Sequence, residues 1–261
     1  MTYRTALLTT LGLIACGGGP GSGTAVAPAP IGVVATQAEV DSLWTKGVGN
    51  FRAGHWEEAA AAFERVLLEF RPGDPRTPEG RFYLGECYLS TKSHLQGVRE
   101  FRKVADETPN HPLAPEALLR AADAYSDLWR RAELDPTYGQ TALATYQELT
   151  SRYPESSAAA RARAKINVLN EKFAEKEWQA AEYYRRLKAY DSAILYLKNL
   201  VANYPATSVA ERALLRLVRA YRRLGYTEDA EETCVALRRF HPDAPDLPEV
   251  CPDATPATAG R

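Results

Sequence analysis

The 261-residue sequence has little of what catalytic and metal-binding proteins are built around. It contains four cysteines without CxxC spacing and four scattered histidines, so no metal-ligand cluster is predicted. GxSxG, HExxH and phosphate-loop motifs do not occur, and we predict no enzymatic activity, no cofactor and no small-molecule substrate. The formal net charge is −1, with 32 Lys and Arg against 33 Asp and Glu, which argues against a nucleic-acid partner.

The apolar stretch near the start of the chain is too short to cross a membrane. Residues 5–15 form about half of the roughly twenty-residue span that a transmembrane helix needs, but they suit the core of a signal peptide. The stretch ends in Leu-Ile-Ala-Cys at 13–16, which resembles a bacterial lipobox. We therefore expect a lipoprotein signal peptide at 1–15 and a lipid on Cys16.

The residues after the lipobox have the composition of a flexible linker. Positions 17–35 contain six Gly and three Pro and no charged residue, which is typical of a flexible tether. The absence of an acidic residue after Cys16 is similar to lipoproteins that are transferred to an outer membrane. We expect residues 16–36 to be a lipidated tether on the periplasmic face of that membrane.

The whole chain contains 42 alanines and few β-branched runs, which favours helices over strands. A small residue recurs with a Pro twelve positions later, or thirteen in the first unit, and a large or apolar residue follows each small one by four. The small–Pro pairs are Ala59/Pro72, Gly97/Pro109, Ala142/Pro154, Ala193/Pro205 and Ala230/Pro242. The residues four positions on are Phe63, Phe101, Tyr146, Leu197 and Cys234. This pattern predicts an all-α solenoid of about five tetratricopeptide-like helical hairpins.

One junction departs from the regular spacing. Ala181 stands 27 positions after Pro154, where the other junctions have 13. The spacing predicts one long helix at 156–188, capped by Ser156. We expect it to join a three-repeat block at 37–155 to a two-repeat block at 156–242, followed by a Pro-rich disordered tail at 243–261.

The cysteines near the end of the chain allow two interpretations. The oxidising compartment that the signal implies would permit a Cys234–Cys251 disulfide. The repeat register, however, places Cys234 in a buried seam between helices. Plain packing of that thiol is the interpretation that the sequence favours.

The lipobox, the five repeats and the long helix together resemble the BamD family of outer-membrane β-barrel assembly lipoproteins. The strings that carry the resemblance are Tyr153-Pro154-Glu155-Ser156, Ala181-Glu182-Tyr183-Tyr184 and Tyr204-Pro205-Ala206-Thr207. The resemblance implies a non-enzymatic subunit that docks on the POTRA domains of BamA and engages unfolded outer-membrane β-barrel proteins. A periplasmic repeat adaptor resembling CpoB of the Tol–Pal system is the alternative, and an envelope enzyme whose repeats present a catalytic site is a third hypothesis.

Arginines along one helix of the last repeat are the candidate partner-binding residues. Spacings of 4, 3 and 4 place them on one helix face, opposite a leucine-rich stripe. They are Arg212, Arg216, Arg219 and Arg223, and Tyr190 and Tyr196 of the preceding repeat would flank them. Arginine pairs with carboxylates in a bidentate manner, so this face could dock an acidic patch, which the resemblance assigns to BamA. A merely solvated face is the alternative.

The first two repeats supply a candidate peptide-binding groove. The residues that the register directs to the concave side are Trp44, Val48, Phe51, Phe82, Glu86 and Leu89. Trp44 and Phe82 occupy equivalent positions, so we expect them to stand side by side. An apolar groove with one carboxylate could hold the aromatic-ended segments of outer-membrane proteins. Alternatively, Phe51 and Phe82 pack between repeats.

Overall fold

Residues 36–252 are described by a computed structural model of the chain. Its helices are α1 (Gln37–Ala53), α2 (Trp56–Glu69), α3 (Thr77–Ser90), α4 (His94–Glu107), α5 (Ala114–Leu128), α6 (Thr137–Arg152), α7 (Ser157–Arg186), α8 (Tyr190–Asn203), α9 (Ser208–Leu224), α10 (Thr227–Phe240) and α11 (Leu247–Val250). The signal peptide at 1–15, the lipid on Cys16, nearly all of the tether and residues 253–261 lie outside the described range.

The helices pack as five successive hairpins. The pairs are α1/α2, α3/α4, α5/α6, α7/α8 and α9/α10, and each hairpin also contacts the next. Two glycines of the predicted register lie where helices approach closely, because a Cβ at Gly47 would be 3.0 Å from the Phe63 ring and one at Gly85 would be 2.7 Å from the Phe101 ring. The prediction of an all-α stack of helical hairpins is confirmed.

Helix α7 is the long element that the sequence predicts. It runs for 30 residues, about 45 Å, and the Ser156 hydroxyl accepts a hydrogen bond from the Ala159 amide at 3.1 Å. The helix ends at Arg186, two residues before the predicted end, and Lys188 takes a left-handed conformation with φ of 60°. The helix therefore stops just before the turn that leads into α8.

The two repeat blocks share one side chain at the middle of α7. Phe173 lies 4.5 Å from the Trp129 ring and 6.1 Å from the Tyr204 ring, centroid to centroid. Trp129 follows α5, and Tyr204 follows α8. Helix α7 thus connects the core of the third hairpin to that of the fourth.

The end of the described chain differs from the sequence prediction. Cys234 and Cys251 form a disulfide, so the interpretation of Cys234 as a plainly packed thiol is wrong. Residues 243–252, here called the C-terminal strap, contain α11 and bury Val250 and Cys251, so the prediction of disorder is wrong for these ten residues. The tertiary contacts of the strap, described below, order a segment whose Pro-rich composition predicts disorder.

Candidate functional site: an arginine groove in the last two hairpins

A groove of about 350 Å³ lies between the end of α7, the start of α8 and the second half of α9. We call it the arginine groove. The side chains that line it are Ala181, Glu182, Arg185, Tyr190, Ala193, Ile194, Leu197, Arg216, Arg219, Ala220, Arg223 and Leu224. Three of the four arginines predicted on the α9 face belong to this lining.

The arginines of the groove outnumber its acidic residues. The Glu182 carboxylate forms an ion pair with Arg185 at 2.8 Å, and its other oxygen lies 3.5 Å from the Arg216 guanidinium. One carboxylate therefore pairs with two guanidinium groups. Its hydrogen bond raises the pKa of Arg185. Arg223 has no ion pair within residues 36–252. The groove therefore retains positive charge available to an acidic ligand.

Apolar side chains form the base and one wall of the groove. Ala181, Ala193 and Leu197 are buried between the helices. Tyr190 and Leu224 are large but remain 46% and 41% exposed. Because exposed apolar side chains beside arginines are typical of interaction surfaces, the groove can hold a segment that is both acidic and apolar.

Two of the predicted partner-binding residues lie outside the groove. Tyr196 stacks on Tyr184 with ring centroids 5.2 Å apart. Arg212 forms an ion pair with Glu175 at 2.7 Å, and its guanidinium carbon lies 4.9 Å from the centroid of the Trp178 ring. Helical spacing correctly placed Arg212 on the same face of α9 as the other arginines. That face is long enough to pack against different parts of α7, however. The other arginines lie near the end of α7, whereas Arg212 contacts Glu175 and Trp178 before that end.

Sequence reasoning also missed residues that belong to the site. Glu182 and Arg185 come from the end of α7, which the arginine spacing along α9 could not indicate. Arg219 pairs with Asp246 of the C-terminal strap at 2.9 Å. The only sequence signal for that contact was the Cys234–Cys251 pair, since a disulfide fixes the strap near α9 and α10.

The residues of the candidate peptide groove in the first hairpin are largely used in packing. Trp44 lies 5.7 Å from Phe63 and 5.9 Å from Phe70, ring to ring. Phe51 lies 4.8 Å from Tyr83, and Val48 is half-buried in the same core. These side chains join the first hairpin to the second.

The second hairpin uses its candidate residues in a similar way. Phe82 packs edge-on against Phe101 at 5.4 Å, and Leu89 belongs to the same core. Glu86 is not a free carboxylate, because Arg120 of α5 donates to both of its oxygens at 2.5 and 2.7 Å. The expectation that Trp44 and Phe82 stand side by side is wrong: Trp44 packs into the core that the first hairpin shares with α3, and Phe82 packs into the core that α4 shares with α5. Peptide binding by this region stays a prediction.

The described part of the chain offers neither a metal-ligand cluster nor a membrane-spanning helix. Between residues 36 and 252, three or more His, Cys, Asp or Glu side chains nowhere gather in a way that could hold a metal ion. None of the helices in that range combines the length and apolar character needed to traverse a bilayer.

Comparison with known proteins gives matches over most of the chain. The family model described as "YfiO: Outer membrane lipoprotein" matches residues 36–236. Outer membrane protein assembly factor BamD of Caulobacter vibrioides is 25% identical over 205 residues, covering 78% of this chain and 67% of the relative. The protein of the same name from Neisseria meningitidis serogroup A is 28% identical over 219 residues, covering 80% of this chain and 81% of the relative.

Among solved structures, a TPR repeats protein from Bacteroides fragilis aligns with a TM-score of 0.49 at 14% identity, covering 81% of this chain and 95% of the other. The family match begins at the first described residue and ends within α10. The C-terminal strap lies beyond it.

Proposed function

The chain belongs to the YfiO family of outer membrane lipoproteins, and we propose that it is a lipid-anchored scaffold of the machinery that assembles outer-membrane β-barrel proteins. In this proposal Cys16 carries the lipid that holds the protein on the periplasmic face of the outer membrane. The arginine groove docks on the POTRA domains of BamA. The N-terminal hairpins engage unfolded β-barrel proteins.

The observation that carries the docking proposal is the arrangement of the groove itself. Four arginines converge on exposed apolar side chains, with Glu182 as the acidic residue among them. Guanidinium groups pair with carboxylates through two parallel hydrogen bonds, and an apolar neighbour excludes water from such pairs. An acidic surface with one apolar side chain is the partner that this groove fits best.

Charge reversal at neighbouring positions of α9 tests the docking proposal. Arg223→Glu changes the groove, whereas Arg222→Glu makes the same charge change on the adjacent residue, which does not line it. Binding to purified BamA POTRA domains can be measured by biolayer interferometry. We expect Arg223→Glu to weaken binding by about tenfold or more and Arg222→Glu by less than about threefold.

The outcomes of this experiment are distinct. If both variants weaken binding equally, only general charge attraction holds the protein on the POTRA domains, and the groove has no specific role. Absence of binding by the unsubstituted protein would contradict docking on BamA. Co-purification from detergent-solubilised membranes then separates the alternatives, because recovery of Pal or TolA without BamA would favour the Tol–Pal adaptor hypothesis.

A further inference from the structure

The C-terminal strap is held on α9 and α10 by several kinds of contact. Val250 and Cys251 are 4% and 3% exposed, and Leu247 packs against the core of the last two hairpins. Arg238 of α10 donates to the carbonyl oxygens of Cys251 at 2.7 Å and Pro252 at 3.1 Å. These contacts fix the path of the strap along the last hairpin.

A covalent bond secures the far end of the same segment. The Cys234–Cys251 disulfide joins the strap to the middle of α10 across 17 positions of sequence. Both cysteines are buried, which shields the bond from thiols in solution. The strap is therefore a fixed part of this face of the molecule.

The strap brings a carboxylate to an arginine of the groove. The Asp246 carboxylate accepts a hydrogen bond from the Arg219 guanidinium at 2.9 Å, and both side chains are about half exposed. An exposed ion pair of this kind is weak on its own. Because the strap is tethered at both ends, however, Asp246 meets Arg219 at a high effective concentration that a free ligand must overcome.

We propose that Asp246 is a built-in competitor for Arg219, which an acidic partner segment must displace in order to use the whole arginine groove. This inference rests on the proposed function, since it assumes that the groove receives an acidic partner. The strap thereby raises the number of carboxylates that a segment needs for firm binding. A segment with a single carboxylate meets Arg223 unopposed, whereas full engagement requires a further carboxylate to replace Asp246.

Isosteric substitutions within the strap test the competition. Asp246→Asn removes the carboxylate that faces Arg219, and Asp243→Asn removes an exposed carboxylate of the same strap that makes no ion pair in the described chain. Both variants change the net charge equally, so any difference between them reports the contact. The probe is a short fluorescein-labelled peptide that combines several glutamates with one leucine, measured by fluorescence anisotropy beside a glutamine version.

We expect Asp246→Asn to bind the glutamate peptide about two- to fivefold more tightly than Asp243→Asn, with no difference for the glutamine peptide. Equal affinities of the two variants would overturn the competition. If Arg223→Glu still weakens binding in that case, the docking proposal survives and only the role of Asp246 is lost. If the unsubstituted protein and both variants fail to bind the glutamate peptide, both proposals fall.

Discussion

At the scale of single residues, the hairpins depend on positions where a glycine faces an aromatic ring. Gly85 of α3 lies so close to Phe101 of α4 that an added Cβ would come within 2.7 Å of the ring. Phe101 is fully buried and cannot move without disturbing the core around it. The close approach of α3 and α4 thus requires the absence of a side chain at this position.

Replacement of Gly85 with alanine should therefore destabilise the protein, although alanine is the better helix former. We expect overpacking to cost about 1–3 kcal/mol. Gly49→Ala is the matched control, because Gly49 lies in a helix with nothing within 4 Å of a Cβ. That variant should gain roughly 0.5–1 kcal/mol from helix propensity. Thermal unfolding followed by circular dichroism distinguishes the two, and a rise in melting temperature for both would contradict the packing argument.

Residue spacing reveals the face of a helix but not the partner of each side chain on that face. The sequence predicted the arginine row of α9, and Arg216, Arg219 and Arg223 indeed line one groove. It could not assign Glu175 to Arg212 or Asp246 to Arg219, because those contacts depend on how neighbouring elements pack. Trp44 and Phe82 show the same limit: equivalent register positions did not bring their rings together.

At the scale of elements, α7 does more than span the junction between repeats. Besides Phe173, it places two lysines over the segment that follows α5. Lys172 donates to the Trp129 carbonyl oxygen, and Lys176 donates to that of Leu134 at 3.0 Å. Burial lowers the pKa of Lys172, whose ammonium also lies over the Trp129 ring. The helix thereby fixes the connection between the third hairpin's two helices.

Truncation of Phe173 should separate the cores that it joins. Phe173→Ala leaves a cavity between Trp129 and Tyr204, and we expect a loss of about 3–5 kcal/mol in the free energy of unfolding. Val168→Ala on the same helix is the control, since Val168 is 65% exposed and its loss should change stability by less than about 0.5 kcal/mol. Urea denaturation measures both, and a similar small effect for the two variants would show that Phe173 does not couple the hairpins.

The sequence located these elements with unequal success. Regular small–large spacing identified the five hairpins and the length of α7, because local periodicity determines which face a helix buries. The C-terminal strap has no such periodicity. Its order comes from the disulfide and from Arg238, which are tertiary contacts between distant positions, so composition alone pointed to disorder.

At the scale of the whole molecule, the main tertiary contacts of each hairpin in the described chain lie within that hairpin and with the hairpins next to it. Such stacks transmit a local loss of stability over short distances. The disulfide belongs to the last hairpin, far along the sequence from α1 to α4. Its contribution should consequently be confined to the C-terminal end.

Removal of the disulfide by Cys234→Ser with Cys251→Ser should lower the stability of the last hairpin by about 3 kcal/mol, the amount expected for a loop of this length. Hydrogen exchange followed by mass spectrometry should show faster exchange in α9, α10 and α11. Helices α1 to α4 serve as the internal control and should exchange at unchanged rates. Equal acceleration in every hairpin would contradict local stabilisation.

The disulfide also determines how the protein bears mechanical load. Tension applied to the chain beyond Cys251 passes through the sulfur–sulfur bond directly into α10 at Cys234. Residues 235–250 are bypassed and carry none of the pull. Asp246 belongs to this bypassed loop, so a pull on the C-terminus reaches α10 at Cys234 without first straightening the strap that carries Asp246.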